Sequence, residues 1–353
     1  FFIITERRYK GAVNKDSEHL IEGSEFFDRY LNICDKVTAV ARSEIESEEV
    51  KFSKNNPIYF KSIRSGYINS ILDLIAFCSN VRHPVIIRYP GFVAYTASIL
   101  MLIMRKKYYL EVVTNPYQEC CALASKRYRF LCFFIKHISR FVINNSRLSS
   151  FVTKHEIQDD LKVNQAKYRH SYSSINLETF FHKNDFVPKI NHPQSSEEIT
   201  ILFVGQLEKN FKRLDLAINL VRNNKNFLLK VVGGGKLLNH YKEISKDLYD
   251  QVDFLGAIQN RKELSKIYRE CDCMVLTSDR EGLPRVVIES MSIGLPVFAL
   301  KVSGVGELLN QECIALNIKD LSIKINQIMM DSTKVEKIIS RNLGVAKGFN
   351  PQL

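Results

Sequence analysis

Short apolar runs alternate with helix-like stretches along almost the whole chain, and no other feature restricts the fold as much. FFIIT, KVTAVA, PIYF, PVIIRY, YYLEVV and RFVIN read as strands, with helices expected over 63–78, 92–106 and 117–139. Apolar strands separated by helices build parallel sheets covered on both faces. Residues 186–198, FVPKINHPQSSEE, hold two prolines and two serines and no apolar period, so they read as a linker. A second series follows: ITILFVG, a helix over 213–223, FLLKVVGGG, a helix over 237–249, VDFLG, a helix over 262–270, CMVLT and PVFALK. The expectation is an α/β chain with two doubly wound parallel-sheet domains, 1–185 and 199–353, facing a central cleft. A length of 353 residues, more than one core normally supports, agrees with two domains.

The composition is that of a globular chain, 45% apolar and 25% charged. The eight cysteines form no CxxC pair, and in a chain this long they read as reduced thiols. The longest apolar stretch, Ser98 to Met104, is too short to span a bilayer and ends on Arg105, Lys106 and Lys107. These points favour a cytoplasmic protein. The sequence opens on Phe1 rather than Met, which suggests that residues precede it. Net charge is +12, and residues 81–147 hold 11 basic side chains against Glu111 and Glu119. Such a local excess suggests an anionic partner.

Ser278 to Gly294, SDREGLPRVVIESMSIG, places two carboxylates by a strand, a turn and a helix start. Pro284 suits a first helical position, while Gly294 and Pro296 stop the helix. Glu281 is then left outside the helix N-terminus and Glu289 on its second turn. The first amides of the helix have no intrahelical partners and suit hydroxyl or phosphate oxygens. Two carboxylates suit a ligand with two hydroxylated parts.

The Glu-x7-Glu spacing of Glu281 and Glu289 in EGLPRVVIESMSIGLPVFA resembles the signature of GT4-type retaining glycosyltransferases of the GT-B fold, with two Rossmann-like domains. ITILFVGQLEKNFKRLDLAI resembles the first strand, phosphate loop and helix of the family's second half, and FLLKVVGGG, VDFLG and SGVGELL fall at its later positions in order. The resemblance implies transfer of a hexose from a nucleotide-sugar, a UDP- or GDP-sugar, with retained configuration. Glu281 would contact donor-sugar hydroxyls, Glu289 the ribose and Lys212 the diphosphate. Gly205, Gln206, Gly233, Gly234, Gly282, Leu283, Pro284 and Gly304 would shape the donor site. Gln206 stands where the family commonly has Arg; Lys209, Arg213 and Arg280 are the candidates to replace that charge, the alternative for Lys209 and Arg213 being ordinary surface cations. The chain has no Asp-x-Asp element, and the expectation is metal-independent chemistry with no cofactor beyond the nucleotide-sugar.

The first domain would bind the acceptor, with Arg7, Asn115, Tyr117 and Glu119 as candidate contacts; the histidine the family often carries near Thr114 to Glu119 is absent. Asn176 is the nearest match to the family's stretch leading out of this domain. KRYRFLCFFIKHISRF (126–141) mixes Phe130, Phe133, Phe134 and Phe141 with basic residues, which suits an anionic membrane surface or a helix packed on the sheet. The acceptor is therefore expected to be a glycan or a lipid-linked glycan of bacterial surface polysaccharide, lipopolysaccharide, capsule or O-antigen. That makes the protein peripheral on the inner face of the cytoplasmic membrane. No nucleic-acid motif accompanies the charge. The rival reading is a catalytically silent GT-B subunit that acts as a binding partner; a sugar-nucleotide epimerase would share the fold.

Overall fold

The computed structural model describes residues 1–6, 27–31, 34–43, 50–51, 58–164, 168–171, 177 and 198–349. The chain divides into two compact units, Phe1–Tyr172 and Ser173–Leu353. Residues 186–197 of the expected linker, together with Arg7 and Asn176, lie outside the described residues.

In the first unit the elements run β1 (Phe2–Ile4), α1 (Asp28–Leu31), β2 (Val37–Ser43), β3 (Val50–Lys51), β4 (Ile58–Arg64), α2 (Tyr67–Asn80), β5 (Val85–Tyr89), α3 (Phe92–Ile103), β6 (Tyr109–Val112), α4 (Pro116–Leu123), α5 (Arg129–Asn145), β7 (Leu148–Phe151), α6 (Glu156–Leu161) and β8 (Tyr168–Ser171). The sheet order is β3-β4-β2-β1-β5-β6-β7-β8, parallel except for β3. Phe2 pairs with Thr38 on one side and Val85 on the other, so the chain reverses direction across the sheet between β1 and β5. Helices α2, α3 and α5 cover one face, where Leu74, Ala97 and Val142 join Ile87 and Leu110 in one core; Phe27 and Tyr30 cover the other face with Ile3 and Phe60.

Glu6, just past β1, ties this switch together. Its Oε1 accepts from the amides of Val93 and, at 3.1 Å, Ala94 in the first turn of α3, while Arg42 Nη2 donates to Oε2 at 2.6 Å. A carboxylate is favourable there because the first amides of a helix lack backbone partners. A Cβ on Gly91 would fall 2.0 Å from Glu6 Cγ, so glycine leaves the room.

Three expectations for this unit need correction. The helix expected over 63–78 begins at Tyr67, because Ile63 and Arg64 complete β4 in register with Arg42 and Ser43. The helix expected over 117–139 is two helices, because Asn115 and Pro116 start α4 and Ala124 turns extended before α5 begins. RFVIN is the end of α5 rather than a strand. Cys132, Ser139, Val142 and Ile143 repeat at helical spacing and are the residues α5 buries. The strand in this place is the following LSSF segment, β7.

The second unit runs β9 (Ile199–Val204), α7 (Leu214–Arg222), β10 (Phe227–Val232), α8 (Leu238–Ile244), β11 (Val252–Gly256), α9 (Arg261–Glu270), β12 (Cys273–Leu276), α10 (Arg285–Ser292), β13 (Val297–Leu300), β14 (Ile314–Ala315), α11 (Ile318–Met329) and α12 (Ser332–Lys347). Its wholly parallel sheet has the order β11-β10-β9-β12-β13-β14. Ile201 pairs with both Leu229 and Cys273, so β9 and β12 are the central strands and the order reverses between them. The helix expected over 237–249 ends at Ile244, followed by a 3-10 turn at Lys246–Leu248. β14, two residues long, extends the sheet one strand beyond PVFALK. Pro284, with φ −70° and ψ 109°, is the N-cap of α10, and Arg285 is its first helical residue.

Candidate donor site in the second unit

Parallel α/β sheets bind ligands beyond the strand C-termini where strand order reverses. In this unit that place lies beyond β9 and β12, and the loops that follow them are bound to each other. Thr277 Oγ1 donates to the carbonyls of Lys212 (3.1 Å) and Arg213 (2.9 Å), and the Asp279 amide donates to the Phe211 carbonyl at 2.9 Å. Across this seam Lys212 Nζ donates to Glu281 Oε1 at 2.7 Å, with both side chains largely buried. The Phe211 ring lies 5.5 Å from Lys212 Nζ and 5.0 Å from the Arg280 guanidinium, a π-face against both cations. Arg213, at φ 50°, ends the turn and pairs with Asp215 and Asp279. The Asp215 hydrogen bonds foremost push its pKa up.

Glycines let the neighbouring loops close on this seam. A Cβ on Gly233 would lie 1.9 Å from the Gly205 carbonyl oxygen, and one on Gly304 would lie 1.9 Å from that of Gly282. Gly304 has φ +79°, which L side chains rarely adopt. The Gly205, Gly233–Gly235 and Gly304 loops thus follow β9, β10 and β13, on the same sheet edge as Glu281.

Glu289 has other partners. It is 6% exposed on α10, accepts from Tyr268 Oη at 3.3 Å, and lies 3.8 Å from Arg285 Nη2. Burial foremost raises its pKa, opposed by the Arg285 charge and the Tyr268 hydrogen bond. Tyr268 is fully buried on α9, and its phenol is pushed well above its ordinary value by burial first and the Glu289 charge second. Glu281 and Glu289 therefore have different environments, one in an ion pair on the loop and one sunk in the wall of the domain.

Gln206 and Lys209 are exposed, Leu283 is partly buried against the core, and Pro284 is buried. Of the three cations offered in place of the family's arginine, Arg213 is tied to two carboxylates and Arg280 lies on Phe211, whereas Lys209 is solvent-exposed. In the first unit Asn115 is fully buried. Its Oδ1 accepts from the Tyr117 and Gln118 amides, and its Nδ2 donates to Asp160 at 2.7 Å, so the side chain works as a helix cap. Tyr117 lies under Lys136, 5.2 Å from ring centre to Nζ, and Glu119 sits in the first turn of α4. Thr277 and Phe211 escaped the sequence reading: a threonine at the end of an apolar strand and a loop phenylalanine carry no distinguishing pattern.

Comparison with known proteins adds the chemistry. Residues 188–343 match the family model described as Glycosyl transferases group 1. The second unit resembles a glycosyltransferase. Protein CapJ of Staphylococcus aureus is 22% identical over 95% of this chain and 88% of its own. The O-antigen biosynthesis glycosyltransferase WbnH of Escherichia coli is 30% identical over 41% of each chain, so the chain spans about two-fifths of that relative. HepE of Anabaena, solved with UDP and glucose, covers 99% of this chain and 97% of its own with a TM-score of 0.66 at 14% identity. With the two sheet orders, that likeness identifies the two-domain α/β fold as GT-B. The family model covers the second unit, and one of these relatives is by its description a glycosyltransferase of O-antigen biosynthesis.

Proposed function

We propose that the protein is a GT4-type retaining glycosyltransferase that moves a hexose from a UDP- or GDP-sugar to a glycan or lipid-linked glycan. The observation that carries this reading is the Lys212–Glu281 pair at the strand-order reversal. A nucleotide-sugar offers each member a better partner. Its diphosphate takes the ammonium, and its sugar hydroxyls donate to the carboxylate, so ligand binding replaces one internal bond by several. The α10 amides and the loops at Gly205, Gly233, Gly234, Gly282 and Gly304 sit on the same sheet edge and let backbone approach the phosphates. That HepE was solved with UDP and glucose supports this ligand class.

In this mechanism Lys212 and backbone amides stabilise charge on the leaving diphosphate, and no metal is needed. Front-side attack, in which a phosphate oxygen of the leaving group takes the acceptor proton, asks the protein for positioning more than for acid or base. Glu281 orients the sugar, and Glu289 contributes to the nucleotide ribose side. The first unit would hold the acceptor, and a lipid-linked acceptor places the enzyme at the inner face of the cytoplasmic membrane.

The test is calorimetry with UDP, GDP, ADP and CMP and their common sugar conjugates, with and without EDTA. One nucleotide binding selectively, unaffected by EDTA and weakened in Glu289→Gln, is the expected result. Donor hydrolysis or transfer that requires added divalent metal overturns the metal-free mechanism. Absence of binding by every nucleotide overturns the proposal and favours the silent subunit.

A further inference from the structure

We infer that the outward faces of α2, α3 and α5 together form a seat that embeds in the interfacial layer of an anionic phospholipid bilayer. This deepens the membrane placement proposed above, and it rests on that placement rather than on glycosyl transfer. All but four of the exposed large apolar side chains among the described residues lie between Tyr67 and Phe141; the exceptions are Tyr249, Leu316, Ile323 and Met330. Apolar residues scattered singly over a surface need no explanation, but concentration on one layer does.

The three helices are neighbours on one face of the first sheet. Tyr67 at the start of α2 meets Phe92 at the start of α3, ring centres 4.8 Å apart, and Lys106 beyond α3 donates to the Ser79 and Val81 carbonyls at the end of α2. Tyr95 of α3 lies 3.1 Å from the Ser139 hydroxyl of α5. Each helix buries one side in the same core and turns large apolar groups outward. On α2 these include Tyr67 and Ile68, 70% and 75% exposed; on α3, Ile103, 72% exposed. On α5 they are Phe130, Phe133, Phe134 and Phe141, all more than half exposed.

Charge decides what covers this face. The helices contain one acidic residue, Asp73, which is held by Arg64 at 2.6 Å. Arg82, Arg105, Lys107, Arg127, Arg129 and Arg140 are exposed on or beside them. Two copies meeting through this face would oppose like charges across a low-dielectric contact, which is unfavourable. An anionic bilayer accepts both components, rings and aliphatic groups in the acyl boundary and cations among the phosphates. The sequence pattern points to the basic 81–147 segment, which holds α3 and α5. The structure adds α2, and neither α2 nor α3 carries a basic residue of its own, so the contact is a three-helix apolar face with a cationic fringe.

The chain contains no Trp, so single replacements give unambiguous fluorescence reporters. Ile68→Trp, Phe133→Trp and, outside this face, Tyr249→Trp would be mixed with vesicles of phosphatidylcholine alone or with phosphatidylglycerol added. Ile68→Trp and Phe133→Trp should both shift to the blue and be quenched by brominated lipid, only on the anionic vesicles. Tyr249→Trp should not change. Phe133→Ser with Phe134→Ser should weaken vesicle binding at least about tenfold, with the melting temperature and nucleotide binding unchanged. A shift at Phe133→Trp alone, a shift at Tyr249→Trp as well, or a concentration-dependent shift without vesicles would each overturn the three-helix seat. Calorimetry with nucleotides on the same variants keeps failure of this inference separate from failure of the enzymatic reading.

Discussion

Lys212 Nζ and Glu281 Oε1 lie 2.7 Å apart although their loops leave the sheet on opposite sides of its reversal point. Both side chains are largely buried, so neither charge has free recourse to water. Lys212→Met should therefore destabilise the second unit by about 3 kcal/mol, because it removes the ammonium bonded to the Glu281 carboxylate. Lys212→Met combined with Glu281→Leu should recover part of that loss, since the carboxylate is then removed together with the ammonium. Denaturant melts of the single and double variants check this, and a fully additive double variant would contradict the pairing. Glu281→Gln should bind nucleotide yet lose most turnover.

Two glycines make a matched pair. Gly304→Ala puts a methyl carbon against the Gly282 carbonyl at positive φ and should cost at least about 1–3 kcal/mol, with donor affinity falling too. Gly344→Ala lies within α12 with open space around the new carbon and should stabilise by about 0.5–1 kcal/mol. Melting temperatures of the two variants should move in opposite directions.

Glu289 predicts a pH dependence. Its folded pKa is raised above the model-peptide value of 4.5, so the folded state holds this proton more tightly than the unfolded chain. Stability from this site is then greatest below the unfolded value and declines as pH rises through the raised one. Glu289→Gln, which keeps an acceptor for Tyr268, should be more stable than the parent at neutral pH and lose that advantage at acidic pH. Melting curves across pH would show whether the difference closes in that direction.

Asn115→Ala removes a helix cap and the hydrogen bond to Asp160. It should cost about 1–2 kcal/mol and leave nucleotide binding untouched. Unchanged stability with a raised acceptor KM would instead assign this residue to the acceptor.

Much of the fold was legible because its strands are apolar. Ile199 to Val204, Phe227 to Val232 and Cys273 to Leu276 sit in the sheet where the pattern put them. β7 was not, because it reads LSSF. The Ser149 hydroxyl bonds that of Ser146 at 2.7 Å and the Ser150 hydroxyl donates to the Leu110 carbonyl of β6 at 3.3 Å, so polar residues fill this strand by one local and one cross-strand bond that no periodicity reports. The preceding VIN segment looks like a strand because Val and Ile are β-branched, but helical spacing with Cys132 and Ser139 prevails. In the site, a family pattern pointed to Glu281 and Lys212 separately. Their contact was not readable, since it depends on Thr277, an ordinary residue whose value comes from two carbonyls 65 and 64 positions away.

That single hydroxyl also dictates an order of assembly. The turn carrying Lys212 is made first, and Thr277 leaves the ribosome 65 residues later. Until then the turn lacks the donor that holds its carbonyls, and its lysine lacks the glutamate. A nascent chain can thus lay down β9, α7 and β10 without yet possessing a competent pocket. Truncation between Lys212 and Thr277 removes that donor together with β13, β14 and all or part of the central strand β12, leaving the lysine without its tether and its sheet without half its strands.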